Sequence, residues 1–82
     1  MKISIAIKNT TSTDYRVHIF DMFGGSSVEV LNSPFALAAG ETSVSFQVNA
    51  SGDGSGRVAY ECELGPSLPD IEVHDGDTYE IR

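Results

Sequence analysis

The chain has 82 residues, a formal net charge of −7 at neutral pH and one cysteine, Cys62. A chain of this length holds one hydrophobic core, and a lone cysteine excludes an internal disulfide, so stability must come from apolar packing or from contacts between subunits. The acidic field repels nucleic-acid phosphates and anionic lipid surfaces, and no apolar run is long enough to span a bilayer.

Apolar residues recur at every second position in run after run, the period that sends alternate side chains to one face of a strand. The first such run covers residues 2–8, with Ile3, Ile5 and Ile7 inward and Lys2, Ser4 and Lys8 outward. Its early start leaves no room for a signal peptide, so the expected location is cytoplasmic, with a secreted mature domain as the alternative. A turn is expected over 9–13. Asn9-Thr10-Thr11, like Asn49-Ala50-Ser51, fits the glycosylation acceptor pattern, but both read more simply as turn residues.

The second strand is expected over 14–20, extending as far as Phe23, with Tyr15, Val17 and Ile19 inward. Phe20 and Met22 then fall on the outer face and, with Phe23, crowd beside Gly24-Gly25 where the alternation asks for polar residues. Two explanations compete: an exposed binding patch beside a mobile loop, or a patch covered by the segment Pro34-Phe35-Ala36-Leu37. A third strand is expected over 27–31, placing Val28 and Val30 in the core. Pro34 and Gly40 limit any helix between residues 32 and 40 to one turn.

Residues 42–49 form the next expected strand, with Val44, Phe46 and Val48 inward. The Gly-rich stretch 50–56 around Asp53 reads as a flexible tip. Residues 57–63 follow, with Val58, Tyr60 and Cys62 in phase, and 64–69 read as a turn. The last two strands are expected over 70–74 and 77–82. If they form a hairpin, keeping Ile71, Val73 and Tyr79 on one face requires a three-residue loop, His74-Asp75-Gly76. Otherwise the two strands lie in different sheets, with this segment as the corner.

No chemical motif emerges. His18, Met22, Cys62 and His74 are the ligand types of a copper centre, but their spacing does not draw them from one loop, and Cys62 faces the core. The stretch 49–56 has one carboxylate, Asp53, too few for a calcium loop. Neither histidine has an evident nucleophile and orienting group beside it. The expectation is therefore no enzyme, no metal and no cofactor.

Asn9-Thr10-Thr11 before a strand, Leu37-Ala38-Ala39-Gly40-Glu41-Thr42 before Phe46, and a Gly-rich loop before Val58-Ala59-Tyr60 together resemble the start of the actinoporin and aegerolysin type of membrane-binding β-sandwich. This chain is far shorter, lacks tryptophan and is acidic. The resemblance transfers no functional residue.

The expected fold is all-β, a small antiparallel β-sandwich of Ig-like, Greek-key type with about seven short strands. The expected function is a non-enzymatic interaction or assembly module whose partner is another protein or a second copy of the chain. A sugar- or lipid-binding module using the Gly-rich loops is the alternative, and nucleic acid and a transmembrane segment are not expected. Candidate binding residues are Phe20, Met22, Phe23, Gly24, Gly25 and Asp53.

Overall fold

The computed structural model describes residues 1–81, so the expected end of the last strand at Arg82 lies outside the described residues. Eight strands form, in the order β1 (Lys2–Asn9), β2 (Tyr15–Asp21), β3 (Val28–Glu29), β4 (Phe35–Leu37), β5 (Phe46–Asn49), β6 (Ser55–Cys62), β7 (Ser67–His74) and β8 (Thr78–Ile81). A short 3-10 turn, Phe23–Gly25, follows β2. No helix among the described residues is long and apolar enough to cross a membrane.

The strands form two sheets. In the first, β1 lies between β5 and β8; in the second, the order is β3-β2-β6-β7, with β4 also paired to β2. Because Val17 pairs with both Cys62 and Phe35, and Phe20 with both Ala59 and Glu29, β3 and β4 share the edge of β2 that β6 does not use. The alternation of β1 drives Ile3, Ile5 and Ile7 onto the second sheet. Ile7 and Ile81 pack with Val17, Ile19, Leu37, Tyr60 and Cys62. Ile3, Ile5 and Val48 pack with Ala50, Val58 and Val73.

Four details depart from expectation. The last two strands lie in different sheets, because β7 pairs with β6 and β8 pairs in parallel with β1. Of the two arrangements open to this segment the corner is the one formed, and one strand pair of the sandwich, expected to be antiparallel throughout, is parallel. β1 holds the corner down: Ser4 donates its N–H to Asp75 Oδ1 at 2.8 Å, and Gly76 N–H reaches Ser4 O at 2.8 Å. Gly76 has φ +86°, a left-handed turn position that costs glycine little.

The second departure is Val44, which is 85% exposed instead of buried. Ile5 pairs with Phe46, yet Lys8 bridges Thr42, so four steps on one strand face three on the other. One extra residue in this stretch is a bulge, and it turns Val44 out. Val28, also expected in the core, is 61% exposed because β3 only begins there, opposite Asp21 at the end of β2.

The third departure is β4. Phe35–Leu37 adds to the edge of β2 at Tyr15–Val17, placing Leu37 in the core, and does not fold over Phe20–Phe23. Fourth, β7 begins at Ser67, earlier than expected, and carries Pro69. The register against β6 shifts between Val58 and Tyr60, and this bulge on an outer strand accommodates a residue with no N–H to donate.

Asn9, read as a turn residue, is fully buried at the end of β1. Its Nδ2 donates to Thr13 O at 2.8 Å and Leu37 O at 3.0 Å, while its Oδ1 accepts Thr11 N–H at 3.0 Å and the Thr11 hydroxyl at 2.6 Å. Every hydrogen-bonding group of the amide is in use. A glycan on Nδ2 is incompatible with this packing.

The hydroxyls of Tyr60 and Tyr79 are buried without a partner among the described residues, and their rings lie 6.4 Å apart. Burial pushes the Tyr79 phenol far above its ordinary value, with the neighbouring Tyr60 adding to the effect. Tyr60→Phe and Tyr79→Phe should each raise stability by about 1 kcal/mol, since each removes a desolvated polar group that makes no bond. Urea unfolding checks this; a clear loss would mean that the hydroxyl is satisfied in solution.

Candidate functional site

A strand at the edge of a sheet has hydrogen-bonding groups on one side only partly used, and a sandwich has such edges on both sides. Here β5 is one edge of the first sheet, and β3 and β4 form an edge of the second. Between them runs a seam. A groove of about 540 Å³ lies over Val30, Phe46 and Gln47, and continues into a second of about 260 Å³ past Val44 and Glu41. Val30, Phe35 and Phe46 are half-buried and pack against the core beneath it.

The lips of the seam carry an apolar surface that the alternation did not mark as one. Val28, Leu31 and Val44 are 61%, 87% and 85% exposed, and all three line the seam. Three of the charged residues lining it are acidic, Asp21, Glu29 and Glu41, against Lys2 alone.

The backbone of β5 is also turned toward the opening. Met1 and Ala50 exchange two hydrogen bonds, of 2.7 and 3.1 Å, beside the pair Lys2 and Asn49. Antiparallel alternation then assigns the next bonded pairs to Ile3 with Val48 and Ile5 with Phe46. Gln47 and Asn49 face away from β1. Asn49 N–H goes to Asp21 Oδ2 at 2.9 Å, which ties the two sheets together at one end of the seam.

The β3 lip is held from the outer face of the second sheet. His18 sits between two carboxylates, with Nδ1 2.9 Å from Glu29 Oε2 and Nε2 2.8 Å from Glu63 Oε2. The Ser33 hydroxyl donates to Glu29 at 2.8 Å and accepts Ile19 N–H at 2.8 Å. Arg16 Nε approaches Glu63 at 3.4 Å, and the Phe20 ring stacks on His18 at 6.4 Å. Both imidazole nitrogens donate only when the ring is charged, so the Glu63 bond first and the Glu29 bond second raise the His18 pKa above 6.5.

A raised folded-state pKa stabilises the fold below the unfolded value and loses that contribution as pH rises through the folded one. Glu29 is lowered by Ser33 and then His18, so its contribution falls away in acid. His18→Gln should therefore destabilise most in mildly acidic solution, above the Glu29 titration. The gap to the parent should close as pH climbs past the raised His18 value. Melting curves of the two proteins across pH check this; a gap that does not vary with pH would contradict it.

The expected site residues separate. Phe20 lies on the outer face against Ala59, and Phe20, Met22 and Phe23 are each half-buried. Phe23 lines the seam. Met22 N–H bonds Arg57 O at 2.9 Å at the end of β2, and Gly24 and Gly25 take φ +69° and +81° in the 3-10 turn. Asp53 does not line the seam. It accepts the Ser51 hydroxyl and the Ser55 N–H, which lower its carboxyl and brace the tip expected to be flexible.

Cys62 is buried and its thiol is pushed up by burial, inward from β6, whereas His18 points out from β2. Among the described residues no group of His, Cys, Asp or Glu could hold a metal ion. One hydroxyl, imidazole and carboxylate do align: Ser55 Oγ is 3.5 Å from His74 Nδ1, and His74 Nε2 is 3.0 Å from Glu72 Oε2. They stand on the open surface of β6 and β7, with the Glu72 and His74 side chains more than half exposed. Such a trio lacks the water-excluded setting that nucleophilic catalysis uses.

No protein-family model, curated protein or solved structure matches this chain. The class rests on the fold itself, a small all-β protein of two facing sheets.

Proposed function

We propose that this protein is a non-enzymatic interaction or assembly module that takes another polypeptide, or a second copy of itself, into the seam between β5 and the β3–β4 edge. The observation that carries this is the coincidence of Val28, Leu31 and Val44, all exposed, with strand edges on both sides of one groove. Exposed aliphatic side chains gathered in one place mark contact surfaces. The Ig-like, Greek-key assignment belongs to the same proposal, supported by the parallel closing pair β1 and β8 and by the repeated crossing of the chain between sheets.

Amide shifts of labelled protein test the function. The protein is titrated with capped peptides of varied charge, with glycans and with lipid vesicles, and is separately concentrated. Polypeptide, or the protein itself, should shift residues 28–32 and 44–47. A seam silent toward polypeptide, with shifts confined to Gly24, Gly25 and residues 52–56 on adding glycans or vesicles, would overturn it in favour of sugar or lipid binding.

A further inference from the structure

Resting on the seam as the interaction surface, we propose that its occupant is an extended basic segment, apolar at alternate positions and carrying Lys or Arg at both ends, which adds as a strand to the open edge of β5. Three observations converge on this chemistry. The edge offers the Gln47 N–H and C=O outward, and main-chain pairing of an extended peptide to such an edge is an established recognition mode. The floor of half-buried Val30, Phe35 and Phe46 suits every second side chain of a strand, since alternate residues point to one face.

Charge supplies the ends. Asp21 stands in the first part of the groove, accepting from Phe23 and Asn49, and Glu41 in its continuation, so acidic groups flank the apolar centre, while the Glu29 carboxylate is turned to His18. β5 already accepts an alternating strand on its paired edge, where Lys2-Ile3-Ser4-Ile5 runs against residues 46–49 with the lysine opposite Asn49. A second copy fits less well: each chain carries a charge of −7, so two copies repel.

Binding of the capped peptide Lys-Val-Thr-Val-Thr-Val-Lys is the test, followed by fluorescence anisotropy and by amide shifts. It should shift residues 28–32 and 44–47, bind at least tenfold more tightly than the same peptide ending in Glu, and weaken as salt is raised. A central Val-to-Pro change in the peptide should abolish binding. In the protein, Gln47→Pro removes an N–H that does not serve β1 and should lose at least tenfold in affinity. Leu31→Ser, at an exposed lip, should lose severalfold without any effect on folding.

Equal binding of the Lys-ended and Glu-ended peptides at the seam would overturn the basic occupant while leaving the seam as the interaction surface. Insensitivity to the peptide proline or to Gln47→Pro would overturn strand addition, and insensitivity to Leu31→Ser would overturn the seating of the peptide between the lips. No shift at the seam with any peptide would overturn the interaction surface as well.

Discussion

Asn9→Ala is expected to destabilise the protein by about 3 kcal/mol, a large part of the roughly 4–12 kcal/mol available to a chain of this size. The amide of Asn9 joins three pieces: the end of β1, the turn at Thr11 and Thr13, and Leu37 of β4. Removing it takes one of the bonds to the Leu37 carbonyl, which keeps its place in the β2–β4 ladder, leaves the Thr13 carbonyl without this donor, and frees the turn that the amide closes, at about 1–3 kcal/mol. Asn9→Asp is the sharper variant. It keeps the shape and the Thr11 contacts but turns a donor toward two carbonyls into a charged acceptor. A loss at least as large as that of Ala is expected at neutral pH, partly relieved in acid when the carboxyl gains a proton. Urea unfolding measures both; losses below about 1 kcal/mol would show that the buried network matters little.

Ile7→Ala is expected to cost about 4 kcal/mol and to leave a protein that is barely folded at room temperature. Ile7 is fully buried on the central strand of the first sheet and contributes to the cluster of Val17, Ile19, Leu37, Tyr60, Cys62 and Ile81 that joins the sheets. Strands on both sides restrict how far the cavity can collapse, so the cost lies toward the upper part of the usual range. Val44→Ala, at a position the alternation marks as equally apolar, is the control. Its side chain is 85% exposed on a bulge, and a change within about 0.5 kcal/mol is expected. Similar losses at the two positions would contradict the register shift between Thr42 and Phe46.

The alternation revealed faces well and partners poorly. Ile3, Ile5, Ile7, Val17, Ile19, Val58, Tyr60 and Val73 are all buried as their phase requires. A period of two says nothing about which strand lies alongside, so the parallel pairing of β1 with β8 and the corner at Gly76 were open. β4 was hidden because Phe35-Ala36-Leu37 is too short for a periodic signal and follows a proline. The bulge at Val44 was hidden because an extra residue shows only against its partner strand.

The candidate site was less legible for the same reason. Val28 and Val44 look like core residues in sequence and become the lips of a groove only when β3 and β5 turn out to be edges. Phe23, singled out for breaking the pattern, does line that groove, whereas Phe20 stacks on His18 outside it. Asn9 was visible as a turn former, and its capacity to satisfy three backbone groups at once depends on β4, which the sequence did not show.

Amide hydrogen exchange in the free protein tests the open edge of β5 most directly. Val48 N–H belongs to a pair bonded to β1, while Gln47 N–H points into the seam. Slow exchange at Val48, near the limit set by global unfolding, is predicted beside fast exchange at Gln47, with Gln47 becoming protected when the basic peptide is added. Protection of Gln47 equal to that of Val48 in the free monomer would contradict an open seam.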